Sequence, residues 1–331
     1  MAEHEMFRRE GLGDHKGHVG HHRQGASVEY LRAPSTETQV VEEQHSEKHR
    51  TPERTIQVKN SRDLRKGIFQ RGSKTYFNSS LFFPREVRER VFTLYAFVRR
   101  ADDFVDTIPQ DQEGFYRFRD TYRRALHGES SRDPIIDPFV ELSRACNFDP
   151  AWTEAFLSAM EADLHKRTYD TLEETIQYMY GSAEVVGLFM SRILDLPEDA
   201  HTPARMLGRA MQYINFCRDF AEDHELGRRY LPLQGADPRI VEEVYARSHP
   251  EEFLRFLRHH LSLYRSWQAE ALSGYRYIPH RYLIPIRTAA DMYFWTADKI
   301  EENPFVVFER KVKPSRLRIF LRILWNSLMP I

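Results

Sequence analysis

From about residue 60 onward, apolar side chains recur at the spacing of a helix, and no run of alternating strand residues competes with them. After Pro84, a residue suited to the first turn of a helix, Val87, Val91, Leu94, Val98 and Val105 follow at steps of four, three, four and seven and so form one stripe. Further helical stretches fall near residues 111–127, 149–166, 171–193, 202–224, 250–272 and 280–302. Breakers separate them: "SSRDP" ending at Pro134, then "LPEDAHTP" and "GADP". There is no internal repeat. The expectation is a single all-α domain over residues 59–316.

The first 58 residues are of another kind. They hold seven of the 15 histidines (His4, His15, His18, His21, His22, His45 and His49) and almost no apolar periodicity. Such a stretch buries too little surface to offset its ordering entropy, so it is expected to be a disordered extension. It lacks the apolar core of a signal peptide, and Glu3, Glu5, Glu10, Asp14 and Glu29 make it too acidic for a transit peptide. In the 331 residues, Lys+Arg number 48 and Asp+Glu 49, a net charge of −1, which offers no broad footprint for nucleic acid. Two cysteines, Cys146 and Cys217, cannot build a disulfide framework, so the cytoplasm is the expected compartment. No uninterrupted apolar run reaches the roughly 18 to 20 residues of a membrane span.

Chemistry concentrates in two acidic pairs. In "YAFVRRADDFVD", Asp102 and Asp106 are one turn apart, and Asp102 lies four residues after Val98 and seven after Tyr95, on the inward face. Like charges at that spacing repel, and turning them inward costs more unless a cation compensates. One such pair can be a solvated helix end. A second, Asp219 and Asp223, changes the reading, because Leu207, Met211, Asn215, Asp219 and Asp223 form a ridge that starts apolar and becomes acidic. Gly227 is expected to stop that helix, with Arg228 and Arg229 following. Arg99, Arg100, Arg218 and Arg228 supply the planar donors that a diphosphate accepts. Opposed acid pairs with flanking arginines read as a clamp for Mg²⁺, with Mn²⁺ as an alternative, and a diphosphate. A ferritin-like di-iron bundle is disfavoured, because the Glu-x-x-His matches, Glu42/His45 and Glu198/His201, fall in the tail and in a proline-flanked connection.

These motifs resemble those of the squalene/phytoene synthase family, head-to-head prenyl transferases built on the isoprenoid synthase bundle with a central cavity. "GSKTY" (72–76) and "LFFP" (81–84) match its N-terminal motif, "YAFVRRADDFVD" and "NFCRDFAEDHELGRRYLP" its two aspartate motifs, and "YMYGSAEVVGLFM" (178–190) its Tyr-rich helix. "AADMYFWTADKI" (289–300) and "FERKVKPSRLR" (308–318) also fit, so the likeness spans about residues 65 to 320. It implies Asp102, Asp106, Asp219 and Asp223 as metal ligands. It implies Ser73, Thr75, Arg99, Arg218, Arg228 and Arg310 at the diphosphate, and Tyr178, Tyr293, Gln212 and Asn215 as the catalytic set, the two tyrosines facing cations through their rings. Cys217 is expected to pack.

The implied reaction joins two geranylgeranyl diphosphates through a cyclopropyl diphosphate to phytoene. Squalene or dehydrosqualene from two farnesyl diphosphates is the alternative. NADPH is not expected, because no nicotinamide fingerprint is present. A non-catalytic relative that binds prenyl chains or a partner would not need all four aspartates. One departure from the family pattern is Glu184, where a second glycine is usual. A carboxylate there either faces solvent or narrows and polarises the cavity near Tyr178, while Ser79 and Ser80 suit a deep pocket or close packing. The segment 317–331 puts Leu317, Phe320, Leu321 and Leu324 on one helical face and Arg318 and Arg322 on another, which suits either a membrane surface or closure of the bundle.

Overall fold

The computed structural model describes residues 52–328, with backbone only for 52–60, Lys74 and Thr75. The histidine-rich stretch therefore lies outside the described residues, except that a helix already begins at Pro52, inside the extension expected over 1–58. In chain order the helices are α1 Pro52–Gly72, α2 Lys74–Ser80, α3 Arg85–Asp106, α4 Gln112–Leu126, α5 Ile136–Ala145 and α6 Pro150–His165. Then come α7 Leu172–Met179, a π turn at Tyr180–Glu184, α8 Val185–Ile193, α9 His201–Arg218 and α10 Phe220–Glu225. The last are α11 Glu243–Ser248, α12 Pro250–Leu272, α13 His280–Glu302, α14 Val306–Glu309 and α15 Arg316–Leu328. Among the described residues there is no strand, only one parallel bridge between Thr168 and Arg229.

Local chemistry sets many of the ends. Asp149 caps α6 ahead of Pro150, and Thr171 caps α7 by accepting from the Glu174 N–H. Gly227, at φ +69°, ends the stretch after α10 in a left-handed conformation that a side chain would resist.

Two helices form the middle of the bundle. α3 buries Val87, Val91, Leu94 and Val105 as its stripe requires, and also Phe92, Phe97 and Ala101, because α1, α4, α5, α6 and α8 surround it. α9 packs along α12, α8 and α13, with the Tyr213 ring edge-on to Trp267 at 5.0 Å. Between α3 and α9 lies an apolar cavity of about 320 Å³, walled also by α1, α2, α8, α12 and α13.

Three local expectations need correction. Residues 171–193 are not one α-helix: the π turn inserts its extra residue where Gly181 meets the Ala155 carbonyl, so close that a Cβ would stand 2.3 Å away. The stretch 202–224 is likewise broken, because α9 ends at Arg218 and Asp219 leaves helical geometry at φ −95°, ψ 12°. Glu184 neither faces solvent nor enters the cavity. It is completely buried on the π turn, where Arg205 Nε donates to Oε2 at 2.9 Å and Arg209 Nε to Oε1 at 2.7 Å. Two guanidiniums compensate one carboxylate, so the charge has no need of water.

Candidate active site

Both central helices point their C-terminal ends the same way chemically, toward acids. Asp102 and Asp106 occupy the last turn of α3, and Asp219 and Asp223 follow the end of α9. A carboxylate at a helix C-terminus faces the negative end of the dipole, which favours a cation there instead. Burial pushes Asp102 up to about 8, with Asp106 next in effect. Burial likewise pushes Asp223 up to about 8, with Asp219 and Glu222 adding repulsion.

Arginines bring the pairs together. Arg228, beyond the second pair, donates from Nη1 to Asp106 Oδ1 at 3.1 Å and from Nη2 to the Val105 carbonyl at 2.8 Å, capping α3. Its charge also favours the ionised form of Asp223, so it lies between the two pairs. Arg99 bridges Asp102 at 2.9 Å and Asp103 at 2.7 Å, and Arg218 holds Asp219 with a fork of 2.8 and 2.5 Å. Arg100 is turned outward over the Phe104 ring.

Arg310 is not at this cluster. It is exposed and makes no ion pair among the described residues, whereas its neighbour Lys311 reaches Asp219 at 3.2 Å and Glu222 at 2.5 Å. The backbone at Arg310 is extended (φ −167°, ψ 152°), so successive side chains point to opposite sides and only one of the two can face the acids.

The cavity lies one helical turn from this charged end, since Val98 and Asn215 line it. Tyr76, Tyr95, Gln212 and Asn215 line it near the acids, and Pro203 and Ala204 lie on the same wall farther back along α9. From Asn215 to Pro203 is twelve residues, or about 18 Å of helix. Tyr293 does not form the wall itself but supports it, hydrogen-bonded to Tyr76 with ring centroids 5.8 Å apart. Asn215 Nδ2 donates to Gln212 Oε1 at 3.5 Å. Among the described residues Asn215 Oδ1 is buried with no hydrogen-bond partner.

Tyr178 is elsewhere. Its hydroxyl donates to Asp163 Oδ2 at 2.7 Å, its ring packs with Tyr169, Phe216 and Tyr230, and it is absent from the cavity wall. Tyr230 donates to the other oxygen, Oδ1, at 2.9 Å. Asp163 is buried and pushed up to about 6 by that burial, against the two tyrosine hydrogen bonds that favour its ionised form. Asp163 had a readable signal: it continues the buried stripe Phe156 and Met160 on α6, as Asp102 continues that of α3. Ser73 caps α2, its Oγ accepting from the Tyr76 N–H at 3.3 Å, and the Thr75 side chain lies outside the described residues. Cys217 is buried in the core.

No group of three or more His, Cys, Asp or Glu among the described residues is gathered tightly enough to form a cage by itself. Mg²⁺ needs none, being held by one or two carboxylates with waters and substrate phosphates. The four carboxylates and the orphaned Asn215 oxygen are hard donors of the kind that ion takes.

Comparison with known proteins places this geometry. The squalene/phytoene synthase family matches residues 69–318, and the chain belongs to it. A 15-cis-phytoene synthase of Pantoea ananas is 28% identical over 267 residues, which cover 76% of this chain and 86% of the relative. One of Enterobacter agglomerans is 30% identical over 262 residues, covering 74% and 87%. Among solved structures, a dehydrosqualene synthase is similar with a TM-score of 0.71 at 22% identity, over 82% of this chain and 97% of the other. A squalene synthase from Alicyclobacillus acidocaldarius follows at 0.68 and 21%, over 76% and 96%. These structures share the helical fold.

Proposed function

We propose that this chain joins two geranylgeranyl diphosphates head to head, through a cyclopropyl diphosphate, to phytoene, with release of diphosphate. The observation that carries the reading is an apolar cavity, about 18 Å along α9, whose lining residues Val98 and Asn215 stand one helical turn before Asp102 and Asp219, in acid pairs tied to arginines. The relatives named 15-cis-phytoene synthase support the choice of product.

The chain's own residues do the following. Asp102, Asp106, Asp219 and Asp223 would hold Mg²⁺ or Mn²⁺, which when bound would supply positive charge against the leaving diphosphate. Arg99, Arg218 and Arg228, with Lys311, provide charge-assisted donors to the diphosphate oxygens. Each is already paired with an aspartate, so it is aimed at the site before substrate arrives. Tyr76 and Tyr95 present rings to the allylic cation, each contributing about 0.5–2 kcal/mol, and Tyr293 fixes Tyr76 in place. Gln212 and Asn215 orient the polar end of the substrate at the top of the wall. The apolar lining keeps water from the cation. No reductant enters the reaction.

The test is to supply Mg²⁺ with geranylgeranyl or farnesyl diphosphate, with and without NADPH, and to identify the hydrocarbon. Phytoene from the longer substrate without NADPH is expected, and it should be lost in Asp102→Ala and Asp219→Ala, each still folded. Squalene seen only with farnesyl diphosphate and NADPH would replace the product while keeping the class. Absence of diphosphate release from either substrate would leave a prenyl-binding protein.

A further inference from the structure

Helix α15 has two apolar faces and uses only one in the bundle. Ile319 and Ile323 are buried against Met292 of α13. Beside them Asn326 Nδ2 donates to Thr288 Oγ1 at 3.1 Å and to Asp291 Oδ2 at 2.8 Å, and Arg322 Nε reaches Asp291 at 2.7 Å. That interface closes the bundle without Leu317, Phe320, Leu321, Leu324, Trp325 and Leu328, which stay 46% to 83% exposed. α2 packs against α15, and the turn after α2 exposes Leu81 and Phe82 as well. Single exposed apolar side chains are ordinary, but a row of six on one short helix is not.

We propose that this outer face of α15, with Leu81 and Phe82, docks on the surface of an anionic lipid bilayer. Charge selects that occupant. Residues 312–328 carry Lys313, Arg316, Arg318 and Arg322 and no acidic residue, and of these Arg322 is held by Asp291. Arg316 and Arg318 are exposed on the helix itself, the latter with its guanidinium 4.6 Å over the Trp295 ring. A second copy of the chain would bring the same arginines together at a two-fold interface, whereas anionic headgroups neutralise them. The helix is about 20 Å long, too short for the roughly 30 Å of a hydrocarbon core, so it lies in the interface rather than spanning it. Among the described residues no helix is long and apolar enough to cross a membrane.

The face also adjoins the cavity. α13 turns Thr288, Asp291 and Met292 to α15 and Ile286 and Ala289 to the cavity, while Ser79, Ser80 and Phe83 line it on either side of Leu81 and Phe82. One helix thickness separates the bilayer surface from the space where a lipid would sit. The docking itself does not depend on the reaction proposed above.

The test is co-sedimentation of the full chain with phosphatidylcholine vesicles, with and without a third of phosphatidylglycerol, at low salt. Binding to the anionic vesicles is expected, falling as salt is raised. Arg316→Gln with Arg318→Gln should weaken it about 30-fold, and Leu321→Ser with Trp325→Ser about tenfold or more. Circular dichroism of each variant confirms its fold. In the unaltered chain, lipids brominated on their acyl chains should quench tryptophan fluorescence, and Trp325→Phe should remove most of that quenching. No binding to anionic vesicles, or binding that both double variants retain, would overturn the proposal. So would self-association in solution that Leu321→Ser with Trp325→Ser abolishes, in a chain that ignores vesicles.

Discussion

At the scale of single residues, the charged end of the cavity turns on which side chain faces Asp219. Lys311 does, and Arg310 does not. Lys311→Ala should therefore lower kcat/KM about tenfold or more, the loss of one hydrogen bond to a charged group, whereas Arg310→Ala should change it little. Steady-state kinetics on both variants decide this, and the reverse ranking would mean that the segment after α14 rearranges when substrate binds. Asp163 supports a prediction about pH. An ordinary aspartate has the value 3.8, and burial raises this one to about 6, so between those values the folded chain holds the proton more tightly than the unfolded chain. Stability from this group is thus present at low pH and falls as pH rises through that window, by at most about 3 kcal/mol. In metal-free protein Asp163→Asn should make the fall in melting temperature between about pH 4 and 6 shallower by roughly a third. The rest remains because Asp102 and Asp223, both raised to about 8, contribute to the decline over the same span and carry it on toward pH 8. Asp102 and Asp219 drew notice because each follows an apolar stripe at helical spacing. Tyr178 was misplaced for the opposite reason: a tyrosine on a stripe fits a core as well as a wall, and only the position of Asp163 shows which.

At the scale of elements, α12 and α13 fall at the residues that periodicity predicts, 250–272 and 280–302, because proline or breakers precede them and their stripes are unbroken. The π turn was hidden. It adds one residue to a helical pattern without any proline, and its cause, the approach of Gly181 to α6, is tertiary. The same turn carries Glu184, whose family position usually holds glycine, and its two arginines come from α9. The triad ties the π turn to the helix that leads to Asp219. Glu184→Ala should cost about 3 kcal/mol, because it leaves Arg209 largely buried without a partner. Urea unfolding measures this, and adding Arg205→Leu and Arg209→Met should restore most of the loss. If Glu184→Ala alone were neutral, the arginines would be reaching water and the triad would not hold the turn.

At the scale of the whole molecule, the feature that no local pattern could announce is the length of the cavity. Its lining comes from seven helices, α1, α2, α3, α8, α9, α12 and α13, and only their packing decides where it stops. Along α9 the wall runs from Asn215 and Gln212 past Met211 and Leu207 to Ala204 and Pro203, twelve residues or about 18 Å from the polar end. Ala204 is small, it is among the residues that line the cavity, and its carbonyl approaches α8 closely at Gly187. Ala204→Phe should fill the far end of the cavity and shorten it by about one helical turn, roughly 5 Å. Since the added ring occupies empty space, the melting temperature should hold or rise slightly. A geranylgeranyl chain would then no longer be fully seated, while a farnesyl chain, one isoprene unit shorter, would. The ratio of kcat/KM for the two diphosphates should shift toward the shorter one by about tenfold to a hundredfold, as expected when part of a hydrophobic substrate is excluded. Competition between the two substrates, read from the hydrocarbons formed, measures the shift directly. An unchanged ratio in a folded variant would mean that the prenyl chain does not run along α9 and that another wall of the bundle sets its length.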